Sequence, residues 1–146
     1  MRHSQRAATV VVVVAWALPL NYVWELAQSP LYVGMDTLRE SWWHCLVATM
    51  GDALLVLLIL AAGWAVFGES DWFVRRGVAG VAFSAAFGAI VAILVEWAAV
   101  STGRWSYTPH MPLIPGLDLG VFPVLQMALL PALIFKVASR PPMRAE

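Results

Sequence analysis

The stretch His44–Phe67 reads HCLVATMGDALLVLLILAAGWAVF, and from Ala53 onward it holds neither a charge nor a proline. About 20 such residues are enough to cross the hydrocarbon of a bilayer as a helix. Three more runs of the same character flank it, from about Ala7 to Gln28, from Gly77 to Val100 and from about Leu119 to Ala138. None alternates apolar and polar residues as a barrel strand does, and unpaired backbone cannot face lipid, so all four are expected as helices. The fold class that follows is an all-α integral membrane protein, a four-transmembrane-helix bundle forming one membrane domain over residues 1–146.

Composition agrees. Of the 146 residues, 61% are hydrophobic and 12% charged, against about 25% charged in soluble domains. Mean hydropathy is +0.76. Nine basic and nine acidic residues cancel, and no basic cluster is long enough to attract nucleic acid, which is excluded as a partner. The single cysteine, Cys45, excludes an intramolecular disulfide and any multi-cysteine metal site. Eight of the nine basic residues are arginine, the bias of a GC-rich bacterial genome, so the expected location is a bacterial inner membrane.

Arg2, His3 and Arg6 before an apolar core also fit a secretory signal peptide. The length of that first run, with Trp16, Pro19, Asn21 and Glu25 inside it, favours a span. Thr37 with Glu40 reads as a capping box, suggesting a short interfacial helix before the second span. Ser70 and Asp71 read as caps of the third span and Asp118 as the cap of the fourth. For orientation, Arg2, Arg6, Arg75, Arg76, Lys136, Arg140 and Arg144 fall on one side and only Arg39 and Arg104 on the other. The positive-inside rule then gives an N-in/C-in topology, with Ser29–Trp43 and Ser101–Asp118 as two structured outer loops. Pro141–Glu146 reads as a frayed tail.

Placed by depth, the intramembrane polar residues all fall in the outer half. Asn21, Glu25 and Gln28 share one face of the first helix at i, i+4, i+7 spacing. The second presents His44 at the surface, then Cys45, Thr49 and Asp52 on one stripe, with Asp52 roughly 12 Å below the start of its span. Glu96 and Trp97 end the third helix, and Gln126 lies in the fourth at the depth of Asp52. Below Glu96 the small residues Gly80, Ser84, Gly88 and Ala92 recur every four positions, which lets helix backbones approach closely.

An ionised carboxylate in hydrocarbon costs at least about 2.5 kcal/mol, so Glu25, Asp52 and Glu96 should point into the bundle. They are the candidate catalytic residues, one donating a proton while another stays ionised. The alternative is a structural network in which Arg104, Asn21, Gln126 or His44 satisfies them. Tryptophans 24, 42, 43, 97 and 105 and all three tyrosines gather at the outer end, leaving Trp64 and Trp72 for an inner belt. Such an excess suits an apolar or ring-bearing ligand. The candidate ligand-binding set is Asn21, Trp24, His44, Thr49, Trp97, Arg104, Trp105, Tyr107 and Gln126. Arg104 can clamp a phosphate or carboxylate headgroup, or serve as counter-ion to Glu96. His44 is equally an interfacial anchor. No His-x-x-x-His or His-Glu-x-x-His pattern occurs, so neither metal nor cofactor is expected.

Asn21–Tyr32, His44–Asp52 and Gly103–Tyr107 resemble signature segments of a small bacterial membrane family. The layout of four helices with carboxylates and aromatics near one face is similar to that of the sterol-isomerase and sigma-2-receptor-like group. Gly103, Trp105 and Tyr107 resemble a Gly-x-Trp-x-Tyr segment of membrane carotenoid cyclases. None of these likenesses assigns a role to a residue. The functional expectation is an outer-leaflet polar and aromatic pocket for a lipid or isoprenoid-like ligand, with isomerase- or cyclase-like acid/base chemistry. The alternative is a non-enzymatic membrane subunit or assembly factor. Membrane lipids and an apolar small molecule are the expected partners; the oligomeric state stays open.

Overall fold

The computed structural model describes the backbone of residues 2–139 and side chains from Ser4 onward; Arg140, Arg144 and the tail at Pro141–Glu146 lie outside the described residues. Four long helices account for most of it: α1 (Arg2–Gln28), α2 (Leu38–Phe67), α4 (Val78–Ser101) and α5 (Val121–Ala138), with the single turn α3 (Trp72–Arg75) between α2 and α4. A 3₁₀ turn, Ser29–Leu31, extends α1. All four long helices are long and apolar enough to cross a membrane, so the chain is a multi-pass membrane protein. Among the described residues there is no strand, only two isolated antiparallel bridges.

The helices close a ring in the order α2, α1, α5, α4. Contact is dense along α1–α2, α1–α5 and α4–α5 and sparser between α2 and α4. The α2–α4 seam is therefore the loose one. Its tight part lies low, where Ile59 of α2 approaches Gly88 of α4.

Small residues set the tightest crossing. Gly80, Ser84, Gly88 and Ala92 are all buried on α4, followed by Glu96 and Ala99. A Cβ at Gly88 would stand 1.9 Å from the carbonyl oxygen of Met127 on α5. Pro131 explains why that carbonyl is available: lacking an N–H, it leaves the oxygen four residues earlier without its helical donor. The glycine backbone packs against it instead, a place for a weak Cα–H···O contact.

Opposite the polar residues, the bundle ends in packed rings. Trp72 is fully buried, against Phe67, Phe73, Phe83 and Phe135 at centroid distances of 5.4–5.8 Å. Its ring lies 2.0 Å from where a Cβ at Gly63 would be, and its Nε1 donates to the Leu60 carbonyl at 3.3 Å. Trp72 is thus a core plug and not a member of an interfacial belt. Around it sit Arg6 over the Trp64 ring and the ion pairs of Glu69 with Arg75 and Arg76.

Helix starts differ from the cap expectations. No interfacial helix precedes the second span, because α2 runs unbroken from Leu38 and is buried at Ser41, Cys45, Thr49, Ala53 and on to Gly63. A continuous buried stripe gives the chain no reason to break there. Thr37 does cap α2 by position, but its hydroxyl bonds the Glu40 carboxylate at 2.8 Å rather than a backbone amide. Asp71 starts only α3, and Gly77 and Gly120 precede α4 and α5. Asp118 instead takes a left-handed φ of 54° in the turn that follows Pro115-Gly116.

Candidate functional site

Asp52 lies fourteen residues into α2 and Gln126 five residues into α5, yet Gln126 Nε2 donates to Asp52 Oδ2 at 2.8 Å. At 1.5 Å per residue, α2 therefore begins about 13 Å beyond the start of α5. Asp52 is about 21 Å from the start of its helix, near its middle, because the helix begins at Leu38 and not at His44.

Gln126 is the hub. Its amide also donates to Asn21 Oδ1 at 3.0 Å and accepts from Gln28 Nε2 at 3.1 Å. Gln28 Nε2 in turn donates to Glu25 Oε1 at 2.7 Å, while Trp24 Nε1 donates to Gln28 Oε1 at 3.1 Å. Asn21 spends its own amide on the Ala17 carbonyl at 2.9 Å. Glu25 and Asp52 each take one amide donor, and both carboxyls border the same cavity. Neither pairs with a cation among the described residues, where the ion pairs are those of Glu69.

Glu96 is held from the loop above it. Trp105 Nε1 donates to its Oε2 at 3.3 Å, and the Tyr107 hydroxyl donates to the same oxygen. Two loops meet there. Val33 N donates to the Ser106 carbonyl at 3.0 Å and Thr108 N to the Leu31 carbonyl at 2.9 Å, bridging Tyr32 to Tyr107. The Tyr32 ring packs on Trp105 and Tyr107 at 6.3 and 5.6 Å. Burial, then the Glu96 charge, pushes the Tyr32 hydroxyl above its usual range; burial, then the bond to Glu96, does the same for Tyr107. Both phenols stay protonated donors. The Pro115-Gly116 turn forms as its residues dictate, Leu117 N donating to the Ile114 carbonyl at 3.1 Å with Gly116 at a φ of 81°.

These groups border a cavity of about 570 Å³, within the range of small-molecule sites. Glu25, Asp52, Glu96, His44, Arg104, Trp105 and Gln126 line it. The other candidates stand elsewhere. Asn21 and Trp24 support it from behind through the amide chain, and Tyr107 through Glu96. Thr49 is buried with its hydroxyl unpartnered, and Trp97 is 62% exposed on the outside of α4. Helical phase is the reason for Trp97: one residue after Glu96 it is turned about 100° away. His44 gives Nδ1 to the Glu40 carbonyl, 3.0 Å away, and reaches none of the carboxyls by hydrogen bond.

Several cavity residues were not among the candidates. Gln28 is one of them, and its spacing from Asn21 and Glu25 on one face of α1 is the signal that marks it. Tyr32, Met35, Trp43, Cys45, Val47, Gly51 and Val95 also line the cavity. Val47 and Val95 are 53% and 38% exposed, and an added Cβ at Gly51 would meet nothing within 4 Å. The cavity thus opens through the loose seam between α2 and α4. Among the described residues no group of three or more His, Cys, Asp or Glu side chains is placed to hold a metal ion.

No protein-family model, curated protein or solved structure matches this chain.

Proposed function

We propose that the protein resides in a bacterial inner membrane with both ends cytoplasmic, and that its cavity takes a lipid or isoprenoid-like molecule from the outer leaflet and moves a proton on it. The orientation rests on charge: Arg6, Arg75, Arg76 and Lys136 lie at the end opposite the cavity, Arg39 and Arg104 at the cavity end. The lateral opening suits a ligand that arrives through the bilayer, since water need not be crossed.

One observation carries the chemistry: Glu25 of α1 and Asp52 of α2 face each other in an apolar cavity with no cation from the described residues to neutralise them. A single proton held between two such carboxyls supplies an acid and a base together. Asp52 donates the proton to one carbon of a ligand double bond, leaving a cation on the other, and Glu25 removes a proton from the next carbon beyond that cation, so that the double bond shifts by one position. The net result is an isomerisation, or a cyclisation when a second double bond captures the cation. Glu96, fixed by Trp105 and Tyr107, offers negative charge to the cationic intermediate. The aromatic rings above the cavity offer their faces.

The test is deuterium uptake. Purified protein is incubated in D₂O and its co-purified lipid is analysed by mass spectrometry. Deuterium should enter the ligand with the natural chain and not with Asp52→Asn, which should still insert into the membrane. A variant that fails to insert assigns Asp52 a structural role, and uptake unaffected by Asp52→Asn refutes the mechanism.

The second reading, a subunit or assembly factor, draws on Trp42 and Trp97, 50% and 62% exposed outside the cavity. It predicts a membrane partner co-purifying in fixed proportion and lost on Trp97→Ala.

A further inference from the structure

The rim of the cavity carries Arg104, whose charge the described residues leave unpaired, and His44, one of whose ring nitrogens is engaged and the other not. Arg104 is exposed, lines the cavity and forms no ion pair among the described residues. Glu96 is the carboxylate nearest to it in sequence on this cavity, and its Oε2 is occupied by neutral donors, Trp105 and Tyr107. The residues on which the loop closes thus take the place a counter-ion would have had. The backbone fixes where Arg104 stands, its N–H donating to the Ala99 carbonyl at 2.9 Å just after the turn at Gly103. His44 lines the same cavity from α2. With Nδ1–H donated to the Glu40 carbonyl, the neutral ring leaves Nε2 as an acceptor, suited to the P–OH of a monoanionic phosphate held by Arg104.

Between His44 and Asp52 the wall given by α2 is apolar at Val47 and Ala48, Val95 of α4 is apolar beside them, and Leu55 lies beyond Asp52 along α2. That order of charges fixes how a ligand can lie. An anionic group is attracted by the rim and repelled by the carboxyls; an apolar chain fits the wall between them.

We infer that Arg104 and His44 form an anion-binding rim and that the ligand of the cavity is a phosphate-headed amphiphile, its head on the rim and one apolar chain reaching down toward Asp52. Guanidinium suits this head, since its planar fork pairs with phosphate oxygens in bidentate fashion. The inference rests on the reading above that the cavity takes a lipid-like molecule, and it adds the chemistry of the head.

The experiment uses the full chain in phosphatidylcholine nanodiscs and reads quenching of its tryptophans, of which Trp43 and Trp105 line the cavity. The added quenchers are phosphatidic acid and phosphatidylcholine with the same brominated chains. Phosphatidic acid should reach half-quenching at about tenfold lower mole fraction, the worth of one hydrogen-bonded charge contact. Arg104→Ala should erase that preference, and Arg104→Lys should restore part of it. Gly51→Phe, which places a ring in the opening, should lower quenching by both lipids. No preference in the natural chain, or one that survives Arg104→Ala, overturns the anion-binding rim while a Gly51→Phe effect still upholds a lipid-filled cavity. Absence of any Gly51→Phe effect overturns both. Millimolar inorganic phosphate should leave the preference in place; if it abolishes the preference, the rim binds free phosphate and the amphiphile is refuted.

Discussion

The middle and the far end of α2 use the same residue for opposite purposes. At Gly63 the missing side chain is filled by the Trp72 ring, 2.0 Å from where a Cβ would be; at Gly51 the missing side chain is empty space, with nothing inside 4 Å. One glycine lets an aromatic plug seat itself among Phe67, Phe83 and Phe135. The other leaves an opening beside Asp52. The difference teaches that the bundle is closed by rings at one end and held apart by an amide and carboxyl network at the other. That network joins three helices through two amide donors, Gln28 of α1 and Gln126 of α5, the latter reaching Asn21 of α1 and Asp52 of α2, and it yields a cavity because polar side chains orient one another without filling space.

Substitutions along α2 and α4 can break this contrast. The largest effect should come from Gly88→Leu, since the neighbour it strikes is the Met127 backbone, 1.9 Å from the new Cβ, and backbone cannot step aside. We expect a loss of about 3 kcal/mol or more, seen as aggregation on size-exclusion chromatography in detergent. Gly63→Leu should cost somewhat less, about 1–3 kcal/mol, because a side chain can be displaced. A lowered thermal midpoint with altered near-ultraviolet circular dichroism from Trp72 would register it. Gln126→Leu removes the hub and leaves Asn21 and Asp52 without their donor, for about 1–3 kcal/mol. An unchanged midpoint would mean the network does not hold the cavity end together. Gly51→Phe should be smallest, within about 0.5 kcal/mol. A drop as large as that of Gly63→Leu would erase the contrast between the two ends.

Much of this was readable from residue type and spacing. The uninterrupted apolar runs announced the four helices, and the every-fourth-residue pattern from Gly80 to Ala92 announced the buried face of α4. Glu25, Asp52, Glu96 and Gln126 stand out in the sequence because each is costly in lipid, and they border one cavity. What escaped depended on the direction in which a side chain points and on partners distant in sequence. Trp97 neighbours Glu96 yet faces outward, and Trp72 neighbours a charged loop yet is wholly buried. The pairing of Tyr32 with Tyr107 joins loops 75 residues apart and has no local signature. Gly51 and Gly63 were separable in principle: Gly63 falls on the stripe through Ile59, Val56 and Ala53, and Gly51 falls between its members. Helical phase carries that information, whereas composition and hydropathy do not.

Native mass spectrometry tests the central claim most directly. The natural chain, released from detergent, should carry one retained amphiphile in defined stoichiometry, and Gly51→Phe, equally folded, should release bare. Identical lipid adducts on both proteins would contradict the account, leaving the space beside Asp52 as a gap between helices that no ligand enters.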